Sequence, residues 1–135
     1  MRFLLDTNVV SEVSKKRPAA KVLNFLQANE AVCVIPSLVL AERYQGARSA
    51  PEEKRGDMLE TVEQFHREFS DRILSFDAKA ADVWGEYTSR KEMRQQPKSY
   101  PDTQIAAIAL ANDLTVVTCN IADFPGVPTL NPFDD

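Results

Sequence analysis

Short apolar runs alternating with helical spacing predict an α/β sandwich around a mostly parallel sheet. Three observations carry that prediction. Phe3-Leu4-Leu5, Val32-Cys33-Val34-Ile35 and Leu114-Thr115-Val116-Val117 are continuous apolar or β-branched runs, the mark of strands covered on both faces. Helical periodicity fills the intervals between them. The 135 residues suit one domain with one core, spanning 1–135, and contain no repeat, low-complexity tract or linker.

The elements follow in order. Residues 2–5 give the first strand, and a helix is expected from Val9 to Val13 with Asp6 to Asn8 at its start. Lys15-Lys16-Arg17-Pro18 breaks the chain. Val22, Leu23, Phe25 and Leu26 then set a helix over 19–27. The second strand covers 32–35, and Pro36-Ser37 opens a helix to about Arg48 with Ser37 as its cap. Ser49 to Glu53 starts another, running to about Ser70, with Met58, Leu59, Val62, Phe65, His66 and Phe69 on its apolar face.

Ile73 to Phe76 reads as a short strand or an extended link. Asp77 caps a helix expected to reach about Met93, with Ala80, Val83, Trp84 and Tyr87 on one side. Gln96 to Pro101 is a polar break. Residues 102–113 are apolar nearly all round beyond the first turn, so that helix must be buried. Leu114 to Thr118 is a strong strand, and Pro128-Thr129-Leu130 is a final edge strand, where proline is tolerated.

Hydrophobic residues make up 44% and charged residues 27%, an ordinary globular mixture. No run approaches the roughly 20 apolar residues that span a bilayer. The start MRFLLDTNVV lacks the long apolar region and cleavage site of a secretory signal, so a cytoplasmic protein without a membrane partner is expected. Cys33 and Cys119 each sit in an apolar, strand-like run and are expected to be buried thiols, in preference to a disulfide or a metal site.

The net charge of −4 argues against broad electrostatic attraction to nucleic acid. It leaves room for a nuclease, because a bound metal reverses the potential inside an acidic site. His66 is the only histidine, on a helix amid apolar and charged residues, which argues against Ser-His-Asp chemistry. With four glycines and no phosphate-cradling loop, a nucleotide-binding fold is disfavoured. Lys15-Lys16-Arg17, Lys54-Arg55 and Arg90-Lys91 read as solvated faces. Lys15 to Arg17 is nearest in sequence to Asp6 and is the one placed to touch a phosphate backbone.

Ligands of parallel α/β sheets bind outside the carboxyl ends of the strands. Asp6 directly follows the first strand. Glu42 lies in the second turn of the helix that leaves the second. A helix feeding the Val116-Val117 strand runs antiparallel to it, which brings Asp102 to the same edge, and Asn120 and Asp123 follow that strand. One topological assumption thus gathers Asp6, Glu42, Asp102 and Asn120 or Asp123. Each has a structural alternative: Asp6 and Asp102 as helix caps, Asn120 and Asp123 as turn residues. Glu42 falls between Leu38 and Val39 on an apolar side, where an unpaired acid is costly unless a metal or a cation meets it.

Leu4-Leu5-Asp6-Thr7-Asn8, Leu40-Ala41-Glu42, Asp102 before Ile105-Ala106-Ala107, and Val117-Thr118-Cys119-Asn120-Ile121-Ala122-Asp123-Phe124 together resemble a PIN domain. More narrowly the chain resembles the VapC-family toxins, ribonucleases of toxin–antitoxin pairs, and Asn131-Pro132-Phe133 fits a common ending of that group. The resemblance implies a three-layer α/β/α sandwich with a central sheet of four to five strands. It implies a Mg²⁺- or Mn²⁺-dependent endoribonuclease acting on structured RNA such as tRNA. Asp6, Glu42 and Asp102 are then the acidic triad and metal ligands, Glu42 directly or through water, with Thr7, Asn8 and Thr118 as supporting neighbours. A fourth family position, often Asp, is Asn120 here, and Asp123 is the alternative acid.

The resemblance further implies a homodimer and a cognate VapB-like antitoxin that brings a basic group into the acidic site. Three readings compete: a catalytically weakened RNA- or protein-binding module, favoured by Asn120; a metal-dependent DNA nuclease; and a set of acids that serve only as caps.

Overall fold

The structure, a computed structural model, describes residues 1–134, so of the expected domain only Asp135 lies outside the described residues. Five strands, β1 (Phe3–Leu5), β2 (Cys33–Pro36), β3 (Ile73–Leu74), β4 (Thr115–Val117) and β5 (Thr129–Leu130), form one sheet in the order β3-β2-β1-β4-β5. Every pairing is parallel. Phe3 stands opposite both Cys33 and Thr115, and Leu5 opposite Val117. The helices are α1 (Thr7–Val13), α2 (Ala20–Ala28), α3 (Ser37–Arg48), α4 (Glu52–Glu68), α5 (Ala78–Ser89), α6 (Lys91–Gln95) and α7 (Tyr100–Asn112).

The chain leaves β1 toward β2 and β3, then returns across the sheet to β4 and β5. Right-handed crossovers therefore put α1 to α4 on one face and α5 to α7 on the other. Packing of α1 on α2, α3 on α4 and α5 on α7 agrees with that division. The strand order reverses between β1 and β4, which makes their carboxyl ends the switch point at which parallel sheets leave a crevice.

The core follows from the sequence pattern. β1, β2 and the Val116–Val117 half of β4 are buried. From Ile105 to Ala109 α7 is buried without interruption, as its apolar circumference requires. Tyr87 brings a polar atom into this interior, and its hydroxyl donates to the Pro125 carbonyl at 2.6 Å. No helix among the described residues is long and apolar enough to cross a membrane.

Several boundaries differ from the sequence expectation. Val32 belongs to a 3₁₀ turn, Glu30–Val32, rather than to a strand. Ser37 is not a cap; Pro36 occupies that position with extended backbone, and Ser37 is the first helical residue. The single helix expected from Asp77 to about Met93 is two helices, divided at Arg90 with φ −62 and ψ 145. There the Arg90 guanidinium returns to the Glu86 carboxylate at 2.9 and 3.0 Å, and Ser89 Oγ bonds the Glu86 carbonyl. The Glu86–Arg90 pair is an i,i+4 contact on the last turn of α5, and the extended backbone at Arg90 is what ends that helix.

α7 starts at Tyr100, before Asp102, because Ser99 caps it and Pro101 fits the first turn, where its missing N–H costs nothing. The expected burial of both thiols holds for Cys33 only, whose pKa burial pushes up to about 11. Cys119 is exposed, because β4 has ended and its N–H turns to the Asn8 side-chain oxygen.

Ile108 is fully buried between α7's neighbours and the sheet. Ile108→Ala is expected to destabilise the fold by about 2–5 kcal/mol, read from the shift of the urea midpoint at unchanged slope.

Candidate active site

Asp6 is the residue on which the switch point closes. Its backbone N–H still bonds the Val117 carbonyl across the sheet at 3.0 Å, and its side chain then begins α1. Oδ1 accepts the Thr7 N–H at 2.8 Å. Oδ2 accepts Asn8 Nδ2 at 3.1 Å and Thr118 Oγ1 at 2.9 Å. Only 6% of the residue is exposed. Burial pushes its pKa up; the bonds from Thr7, Thr118 and Asn8 pull it down, the charge of Glu42 pushes it up, and the net shift is upward.

The supporting residues form a closed circuit. Thr118, buried at the end of β4, donates to Asp6 while its Oγ1 accepts Asn8 Nδ2 at 3.1 Å and the Asn120 N–H at 3.0 Å. The Asn8 side-chain oxygen takes the Cys119 N–H at 3.1 Å. Thr7 points the other way and donates to Glu42 Oε2 at 2.8 Å, tying α1 to α3. Thr7, Asn8 and Thr118 are thus hydrogen-bonded neighbours of Glu42 and Asp6.

Asp102 sits in the first turn of α7, half-buried, with its N–H on Ser99 Oγ at 3.3 Å. Burial pushes its pKa up, the Ser99 contact lowers it, the charges of Asp123 and Asp6 raise it further, and Lys98 lowers it slightly. Glu42, Asp6, Asp102 and Asp123 therefore form a chain of acids that feel one another across the switch point. Asn120 is exposed, starts the 3₁₀ turn Ile121–Asp123 without a side-chain cap bond, and adds no charge. Of the two alternatives for the fourth position, Asp123 is the acid that acts on Asp102.

The cap reading fits Asp6, which does cap α1, but not Asp102, whose helix is capped by Ser99. The sequence reading overlooked Ser99, although Ser99-Tyr100-Pro101-Asp102 is the spacing of a capping box. It also overlooked Arg43, next to Glu42. Its guanidinium lies 4.7 Å from the Phe65 ring centre, its Nε is buried without a hydrogen-bond partner, and burial lowers its pKa. Arg43 lines a cleft of about 400 Å³ together with Thr7, Ser11, Ser14 and Glu42. His66 is remote from this chemistry; its Nδ1 meets the Tyr44 hydroxyl at 3.0 Å.

The donor set suits a hard divalent cation. It is all oxygen, and among the described residues no ion pair involves Asp6, Glu42 or Asp102. The donors on Asp6 are neutral, so its charge, when present, is oriented but not cancelled. No group of three acids among the described residues is drawn into a ready-made cage. Mg²⁺ keeps several waters and needs only one or two carboxylates from the protein.

Residues 3–128 match the PIN domain family. The chain is 33% identical to the plasmid stability protein StbB of Pseudomonas syringae pv. tomato, over 98% of this chain and 99% of that protein. It is 31% identical to the ribonuclease VapC2 of Rickettsia felis, over 96% of this chain and 95% of that protein. The crystal structure of FitAcB from Neisseria gonorrhoeae superposes with a TM-score of 0.88 at 29% identity, covering 97% of this chain and 98% of that one.

The raised pKa of Asp6 has a direct consequence in chelator. Below its ordinary value of 3.8 the carboxyl is protonated folded or unfolded, and no penalty arises. As pH rises from there through the raised folded value, the unfolded chain ionises more readily and the folded state loses stability. The midpoint of Asp6→Asn minus that of the parent is therefore expected to move in the variant's favour as pH rises above 3.8. A difference that moves the other way removes burial as the dominant influence on Asp6.

Proposed function

The chain belongs to the PIN domain family, in its VapC-type branch, and from that premise we propose that it is the ribonuclease of a toxin–antitoxin pair. In this reading it is a Mg²⁺- or Mn²⁺-dependent endoribonuclease, a homodimer that cuts structured RNA such as tRNA and is silenced by a VapB-like antitoxin. One observation carries the proposal: Asp6 is buried, fixed by three neutral donors and surrounded by further acids, with no cation paired to it. A group of this kind raises the energy of the isolated fold, and an incoming positive charge relieves it. The VapC2 relative from Rickettsia felis is named a ribonuclease, which supports extending the chemistry to RNA.

The residues divide the work. Asp6 and Asp102, on opposite sides of the switch point, are the metal ligands, and Asp123 adds charge beside Asp102. A bound Mg²⁺ supplies a nucleophilic water of lowered pKa and neutralises charge on a phosphoryl oxygen. Thr7 holds one oxygen of Glu42 and so orients the carboxylate, leaving its other oxygen to ligate through water or to accept the proton of the attacking water. Thr118 and Asn8 keep the Asp6 plane fixed. An antitoxin that inserts an arginine meets the same acids, since a guanidinium pairs well with carboxylates.

Asn120 favours the weakened-module reading only if it leaves the fourth position uncharged. The charge of Asp123 acts on Asp102, which supports counting Asp123 as the acid of that position.

Three outcomes test the proposal on tRNA and other structured RNA. Cleavage disappears in EDTA and returns with Mg²⁺ or Mn²⁺, and Mg²⁺ raises the thermal midpoint of the parent. Asp6→Asn lowers the rate by more than about 100-fold while remaining folded, and Thr7→Val lowers it by about 10- to 100-fold, the scale of a group that orients a ligand. Asp123→Asn costs more activity than Asn120→Ala. A folded Asp6→Asn protein with undiminished metal-dependent cleavage overturns the assignment, and preference for DNA over RNA moves it to a DNA nuclease.

A further inference from the structure

Beside Asp102, on the α5–α7 face, lies a second concavity that the acid site does not use. It has a volume of about 440 Å³ and is lined by Trp84, Thr88, Met93, Arg94, Lys98 and Tyr100 among others. That volume is in the range of pockets that hold small organic ligands. Its walls combine two aromatic rings with two cations. Trp84 and Tyr100 lie with ring centres 5.9 Å apart and planes inclined by 31°. The indole N–H of Trp84 is fixed on Thr103 Oγ1 at 2.9 Å, so that ring is held by its polar end. Tyr100 is 70% exposed, the most open large apolar surface of the described residues.

Arg94 and Lys98 form no salt bridge among the described residues. Tyr100 and Thr103 of the lining belong to the same first turn of α7 as Asp102, which sets the concavity next to the acid site.

We propose that the Trp84–Tyr100 concavity is a single-stranded RNA subsite, in which one base stacks on Tyr100 while Arg94 and Lys98 hold the adjoining backbone phosphates. An exposed ring costs the fold little to keep and offers a base a π-face regardless of its identity. The cations answer a problem that the net charge of −4 creates. The acids at the switch point repel a polyanion, and the two cations lining the concavity give the strand a favourable anchor on this side. A duplex does not present its bases to such a ring, so the subsite selects unpaired nucleotides: a loop, a bulge or an end. The inference rests on the ribonuclease reading for where the strand leads, but the binding it describes is measurable without cleavage.

The test uses the full chain in EDTA, with a fluorescent ten-nucleotide single-stranded RNA and a blunt RNA duplex as probes. Tyr100→Ala is expected to weaken single-strand binding by about 5- to 100-fold and Tyr100→Phe by less than about twofold, the range set by loss of one stacked base. Arg94→Gln with Lys98→Gln is expected to reduce the slope of log K against log salt by about 1.4, two phosphate contacts' worth. Trp84 is the only tryptophan, so stacking beside it also quenches the intrinsic emission when the single strand is added.

Binding of Tyr100→Ala within twofold of a parent with the same thermal midpoint overturns the proposal. So do unquenched Trp84 emission or a duplex held as tightly as the single strand. The two readings fail separately. Cleavage by the Mg²⁺-loaded parent with Tyr100-independent binding removes this subsite alone; Tyr100-dependent binding with no cleavage removes the ribonuclease alone.

Discussion

The buried carboxylate of Asp6 is the constraint around which the rest of the molecule is arranged. A parallel sheet whose order reverses between β1 and β4 leaves a crevice at their carboxyl ends, and Asp6 is the first residue past β1. Its backbone still belongs to the sheet and its side chain already caps α1, so neither end of the residue is free to move. Three neutral donors fix its two oxygens. Neutral donors orient a charge without cancelling it. Lysine or arginine in those places would have made a conventional buried ion pair and closed the site to metal and phosphate alike.

That constraint explains the uneven roles of the neighbouring residues. Thr7 and Asn8 follow Asp6 directly on α1, yet Thr7 reaches α3 and Asn8 reaches the end of β4. Successive side chains on a helix point about 100° apart, so one turn serves two partners. Thr118 completes the circuit from β4. The arrangement ties α1 and α3 to the end of β4 through one carboxylate, whose pKa burial pushes up while its three donors pull it down.

How much of this the sequence disclosed depends on the distance over which each feature is decided. The strands and the all-round apolar α7 were legible because burial on both faces imposes continuous apolar runs. A single topological rule sets Asp6, Glu42, Asp102 and Asn120 or Asp123 at one sheet edge, and among these the charges of Glu42 on Asp6 and of Asp6 and Asp123 on Asp102 are felt. The division at Arg90 was not legible, since Ala80, Val83, Trp84 and Tyr87 keep helical spacing up to it and the extended Arg90 backbone that ends α5 carries no sequence signal of its own. The exposure of Cys119 was also hidden: its neighbours look like strand, but the sheet ends at Val117 and the backbone there is claimed by Asn8. Arg43 carries no pattern of its own, and its buried, unpartnered Nε becomes visible only once α3 packs on α4.

The first turn of α7 carries both Asp102 of the acid site and Tyr100 of the aromatic concavity. Ser99 caps the turn and positions the Asp102 N–H. Thr103, one residue further, accepts the Trp84 indole N–H and donates its hydroxyl proton back to the carbonyls of Ser99 and Tyr100. The turn is thus pinned by its cap from within and by α5 from outside. Asp102 and Tyr100 are two residues apart on that pinned turn, so one cannot shift without the other. A base resting on Tyr100 fixes the strand relative to Asp102 by a path of only a few bonds, which is the shortest route by which recognition of an unpaired nucleotide can place a phosphodiester against the acids. Proximity on a rigid element gives that placement its precision, because a loop carrying the same residues would lose it to its own motion.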